Sequence, residues 1–161
     1  MLVAPAAAAG WGAGCSRQEV AAKRAPDFSY TLLDGTVHSS SALRGQVVLV
    51  NFWATTCAVC VKEMPQLVAT HARFRPQGLQ TLAVAVQHDP PALVADFAQS
   101  RRLPFGVVID NTGAIAEAFA EVRGTPTSFV IDRAGFVAQR IEGEPDFGRL
   151  NRLIEQLLGR G

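Results

Sequence analysis

Val47-Val48-Leu49-Val50-Asn51-Phe52-Trp53-Ala54-Thr55-Thr56-Cys57-Ala58-Val59-Cys60 is the stretch that decides the fold. Its apolar, largely β-branched first half is too short for a typical helix and reads as an interior strand buried on both faces. After Cys57 the β-branched dominance ends and the chain becomes helix-compatible, so a buried strand feeds a helix that opens with two thiols. At a helix start, unpaired backbone N–H groups and the positive end of the helix dipole favour a thiolate. Cys57 is therefore expected to have a lowered pKa and a nucleophilic sulfur. Cys60, one helical turn on, can close a disulfide with it.

A chain of 161 residues fits one domain, with enough length for an ordinary core. Its 15 basic and 14 acidic residues are scattered and leave a net charge of +1, which gives no electrostatic footprint for nucleic acid. Three cysteines are too few for a disulfide scaffold, and a close pair points to redox or metal chemistry. A closed metal site needs four donors, and Cys15, His38, His71 and His88 supply no second pair at compact spacing. Redox chemistry is the expectation, with no metal and no bound cofactor beyond a redox-active Cys57–Cys60 disulfide.

Residues 1–24 read as a leader and linker. Met1 to Gly14 is uncharged and mostly Ala and Gly, too short to span a bilayer but suited to the apolar core of a secretory signal. The folded domain is placed at residues 25–161. Ala25 to Leu32 is expected as a strand, Asp34-Gly35 as a hairpin turn, Thr36-Val37-His38 as the returning strand and Ser39 to Gly45 as a capped helical turn. The helix after Cys57 should run to Phe74 and bend at Pro65. Leu79 to Val86 reads as a second buried strand and Pro90-Pro91 as the start of a helix with Leu93, Val94, Phe97 and Ala98 on its apolar side. A strand over Phe105 to Ile109, a short helix over Gly113 to Phe119, an antiparallel hairpin of Thr127 to Ile131 with Phe136 to Ile141, and an amphipathic helix over Asp146 to Leu158 complete the pattern. This order predicts a three-layer α/β/α sandwich with a mixed central sheet and an N-terminal β-hairpin.

Asn51-Phe52-Trp53-Ala54-Thr55-Thr56-Cys57-Ala58-Val59-Cys60-Val61-Lys62-Glu63-Met64-Pro65 resembles the active-site segment of TlpA/ResA-like thiol-disulfide oxidoreductases of the thioredoxin-like superfamily. Arg123-Gly124-Thr125-Pro126-Thr127 resembles their second signature, and the resemblance spans about Ala25 to Leu158. It implies a thioredoxin-like fold, with Leu79 to Phe105 as the extra strand and helix of that family. It also implies a cis Pro126 that brings Thr125 beside the cysteines, where its backbone would pair with an extended substrate. Thr56 stands where many relatives carry a second Trp, and Ala58-Val59 replaces their proline-containing pair. Gly12-Ala13-Gly14-Cys15 separately resembles a bacterial lipoprotein cleavage box, which would make Cys15 a lipid anchor.

The resemblance implies a disulfide reductase of the bacterial cell envelope or periplasm, a monomer acting on protein disulfides such as those of apocytochromes c or metal-centre assembly proteins. Electrons would come from a membrane-embedded thiol transporter, and the chain's only membrane contact would be the anchor. Cys57 is the attacking thiolate and Cys60 the resolving thiol; Trp53 is expected to pack beside them. Asn51 stands where thioredoxins carry an acid, and Gln87-His88-Asp89 follows the next strand, so His88 is the candidate proton acceptor for Cys60. Lys62 and Glu63 read as a solvated helix face, and His38 and His71 carry no assigned role. Two alternatives remain on the same fold. A thiol peroxidase would use a Thr near its cysteine, although Thr55 lies two residues ahead and peroxiredoxins use three. A copper-binding assembly factor would use a CxxxC spacing, which this chain lacks.

Overall fold

The computed structural model describes residues 23–120 and 122–159. The leader, the cleavage box and Cys15 lie outside them. In chain order the elements are β1 (Ser29–Thr31), β2 (Val37–Ser39), a 3₁₀ turn (Ser40–Leu43), β3 (Val47–Trp53), α1 (Ala58–Phe74), β4 (Leu79–Ala85), α2 (Pro91–Ser100), β5 (Gly106–Ile109), α3 (Ala114–Ala118), β6 (Thr127–Ile131), β7 (Val137–Glu142) and α4 (Phe147–Leu158). The first two strands form a separate antiparallel hairpin, and the other five make one sheet in the order β5-β4-β3-β6-β7. β3 runs parallel to β4 and antiparallel to β6, which makes the sheet mixed as expected.

All seven residues of β3 are buried, because both faces of the central strand are covered. Val47, Leu49 and Trp53 point into a core filled by Met64, Leu67 and Phe74 of α1, Val94 and Ala98 of α2, and Leu150 and Ile154 of α4. Val48, Val50 and Phe52 point the other way, against Tyr30 of the hairpin and Ile115 next to Phe119 on the α3 side. Each of these large side chains contributes about 1.5–3 kcal/mol by leaving water. α1 stays helical through Pro65, and its buried stripe repeats at Cys60, Met64, Leu67, His71 and Phe74, the spacing of one helix face. Gly78, at φ +105°, makes the left-handed step that turns the chain from this helix into β4.

Some boundaries differ from the sequence expectation. The first strand is three residues long rather than eight, because ahead of Ser29 the chain passes the edge of the large sheet. There the Ala25 N–H donates to the Gly135 carbonyl (2.9 Å) and Val137 N–H to that of Lys23 (2.8 Å). Lys23 and Arg24, read as linker, thus pair with the start of β7, and the Arg24 guanidinium lies over the Phe136 ring. Leu93, expected on the apolar side of α2, is 51% exposed. The buried positions are Val94 and Ala98, and a residue one step before Val94 is rotated about 100° out of their stripe.

Candidate active site

The site lies where β3 ends. Cys57 is the N-cap of α1, with extended backbone (φ −88°, ψ 103°), and its Sγ accepts a hydrogen bond from Cys60 N–H at 3.2 Å. Cys57 and Cys60 are joined in a disulfide with Cα atoms 5.2 Å apart. Cys57 is partly exposed while Cys60 has no exposed surface, so an incoming disulfide can reach the first sulfur and not the second. Seventeen helical residues follow Cys57, and the aligned peptide dipoles put roughly half a positive charge at its sulfur.

The segment before β6 closes over this pair. The Thr125–Pro126 peptide is cis, as the resemblance implied, and Pro126 is buried. The Thr125 carbonyl oxygen stands 3.6 Å from Cys57 Sγ, so Thr125 meets the sulfur through its backbone. The Thr127 hydroxyl donates to the Gly124 carbonyl at 2.7 Å and closes the loop. Open grooves of about 520 and 440 Å³ flank this loop. Arg140 and Glu142 border the first, His88 and Glu117 the second, and Thr125 is shared by both.

Trp53 is fully buried at the end of β3, in the same core cluster as Cys60 and 5.1 Å from the Phe97 ring, which agrees with a packing role beside the cysteines. His88 is exposed and lines the groove shared with Val86 and Thr125, whereas Cys60 has no exposed surface and packs in the core on the other face of the sheet from Val86. The residue that does share the buried face with Cys60 is Glu63, one helical turn on, which corrects the solvated reading. Lys62 does point to solvent, paired with Glu144 at 3.0 Å.

Glu63 has no exposed surface, and Asn51 Nδ2 donates to its Oε1 at 3.0 Å. Asn51 also donates to the Ser128 hydroxyl at 3.0 Å, across the β3–β6 register. The second carboxyl oxygen, Oε2, is buried without a partner. Burial pushes the Glu63 carboxyl up to about 7; the Asn51 bond opposes this and the Glu144 charge adds to it. The signal was present in the sequence, since Glu63 lies three residues after Cys60 and four before Leu67, on the stripe that the core demands.

A strand thus delivers an N-cap cysteine to a cis-proline loop, and a family model described as AhpC/TSA matches residues 21–140 of this chain. The chain belongs to the AhpC/TSA family. Among curated relatives, a protein from Geobacillus kaustophilus named thiol-disulfide oxidoreductase ResA is 39% identical over 94 residues. That match covers 58% of this chain and 53% of the relative, so the chain spans about half the length of the curated relatives it matches. The solved structure of a candidate thioredoxin from Neisseria meningitidis superposes with a TM-score of 0.79 at 37% identity, over 87% of this chain and 92% of that one. A thiol:disulfide interchange protein from Chlorobium tepidum gives 0.78 at 30% identity, over 86% and 97%. The thioredoxin-like fold read from the sequence is thus the fold of the family.

Proposed function

We propose that this AhpC/TSA member is a thiol-disulfide oxidoreductase that reduces protein disulfides in the bacterial cell envelope. The observation that carries the reading is the asymmetry of the pair: an accessible N-cap Cys57 under a helix N-terminus, bonded to a fully buried Cys60. The names of the Geobacillus and Chlorobium relatives support it.

In the reduced protein the Cys57 thiolate, held by the Cys60 N–H, attacks one sulfur of a substrate disulfide. A mixed disulfide forms, and the other substrate sulfur leaves as a thiolate that takes a proton from solvent. The Cys60 thiol then gives its proton to the Glu63 carboxylate, and its sulfur attacks Cys57 Sγ. The second substrate thiolate departs, the Cys57–Cys60 disulfide closes, and two electrons have passed to the substrate. The Thr125 backbone beside Cys57 and the two flanking grooves are where an extended substrate segment would lie. A membrane-embedded thiol transporter would restore the dithiol, and Cys15 would hold the domain at the membrane. Release of the protein from membranes on Cys15→Ser is the observation that would support the anchor.

A thiol peroxidase is the rival within the same family. Such an enzyme needs a hydroxyl aimed at the reactive sulfur, and the hydroxyl of Thr55 is instead spent on Asp89. Turbidimetric reduction of a disulfide protein by dithiothreitol tests the proposal. The wild type should accelerate the reaction, Cys57→Ser should abolish the acceleration, and Cys60→Ser should accumulate a mixed disulfide visible by mass. Peroxide consumption without disulfide reduction would overturn it.

A further inference from the structure

Three acidic side chains are buried among the described residues: Glu63, Asp89 and Asp110. Asp110 caps α3, accepting from Ile115 and Ala116 N–H at 3.2 and 2.9 Å. Asp89 also precedes a helix, yet it does not cap it. Pro90 and Pro91 follow, and neither has an N–H to satisfy, so the carboxylate is free for another use. It reaches 34 residues back along the chain, where Oδ2 accepts from Thr55 N–H at 2.6 Å and Oδ1 from the Thr55 hydroxyl at 2.5 Å.

Thr55 is the second residue of the turn that places Cys57, closed by Cys57 N–H donating to the Ala54 carbonyl at 3.2 Å. Asp89 is itself fixed to β4 by its N–H bond to Val86 O (2.9 Å), and Val86 N–H bonds Trp53 O (3.0 Å) to continue the strand ladder. We propose that Asp89 is a positioning residue: its two-pronged grip on Thr55 keeps Cys57 under the Cys60 N–H when the disulfide opens. While the disulfide is closed, the covalent bond holds that geometry. Once it is cut, the turn must hold it alone, and charge-assisted bonds are among the stronger non-covalent ties available. The inference rests on the oxidoreductase reading and adds a residue that touches neither sulfur nor substrate.

A carboxylate near a thiolate also repels it, so grip and charge predict opposite signs. Asp89→Ala removes both. Asp89→Asn keeps both contacts, its carbonyl oxygen accepting from Thr55 N–H and its amide donating to the Thr55 hydroxyl, and removes the charge. The readout is the pKa of Cys57 in the reduced full chain, from the pH dependence of iodoacetamide alkylation. Asp89→Ala should raise it by about one unit, the scale of one weakened bond to a charged sulfur. Thr55→Val should raise it less, and Asp89→Asn should leave it at or below the wild type. An Asp89→Ala value at or below the wild type overturns the proposal, as does an Asp89→Asn value that follows Asp89→Ala upward. If Asp89→Ala fails to fold, Thr55→Val decides: a rise supports the grip and an unchanged value overturns it. A wild type that reduces no disulfide defeats the oxidoreductase reading, while the alkylation comparison still judges the grip.

Discussion

At Glu63, loss of water pushes the carboxyl toward its neutral form and the Asn51 amide pulls it back, leaving a group that titrates near 7. An acid poised there can take a proton from Cys60 and return it to solvent at neutral pH. The same shift carries a stability consequence. The folded state holds a proton that the unfolded chain releases above about 4.5, so the stability is full below that pH and lost as pH rises through about 7. Glu63→Gln should therefore raise the melting stability of the oxidised protein at pH 8, by about 2–3 kcal/mol at most, and leave it unchanged at pH 4. The same variant should slow disulfide closure and abolish an inflection near pH 7 in its rate. Melting curves at the two pH values and stopped-flow closure kinetics check both. Cys57, Cys60, Trp53 and the Thr125–Pro126 loop were legible because their residue types carry the chemistry or the backbone form. Glu63 was hidden because an acid beside Lys62 looks solvated until the helix stripe is followed through it. Asp89 was hidden more deeply, since a bond across 34 residues leaves no local pattern.

Elements built from local rules matched expectation best. β3 and β4 are apolar runs between turn signals, and α4 has Asp146 as its N-cap, accepting from Arg149 N–H at 3.0 Å. The miss on Leu93 came from a ten-residue helix, too short for apolar spacing to fix which side faces inward. How the elements dock was not legible either, and Arg133 is an example. From the turn after β6 its guanidinium donates to Gly45 O (2.8 Å), Gln77 O (3.3 Å) and Leu158 O (3.3 Å), tying the entrance of β3 to the chain ends of α1 and α4. These carbonyls lie at helix and turn ends that lack intrahelical donors. Arg133→Met should cost about 2 kcal/mol by denaturant melt, the scale of losing bonds from a charged donor. The Cys57 alkylation rate should not change, because this tie sits at the end of β6 away from Pro126.

Over the whole molecule, the sheet gathers the site at one end of its central strands. β3 ends at Trp53 before the cysteines, β4 ends before Asp89, and β6 begins after Pro126, so three strands from distant parts of the sequence deliver their ends together. This follows the rule that parallel sheets place function beyond the carboxyl ends of their strands. The direction of electron flow follows from which state of the pair this site stabilises. Ala58 and Val59, between the cysteines, offer neither charge nor a side-chain donor. On the proposed function, a Cys57 thiolate held by the helix dipole and the Cys60 N–H, with no help from the residues between the cysteines, would leave the disulfide relatively favoured and the dithiol a reductant. The most direct test is the reduction potential of the Cys57–Cys60 pair, equilibrated against defined dithiothreitol mixtures. The expected value lies nearer the roughly −270 mV of thioredoxin than the roughly −120 mV of strongly oxidising dithiol proteins, and one more positive than about −180 mV would contradict the reductant reading.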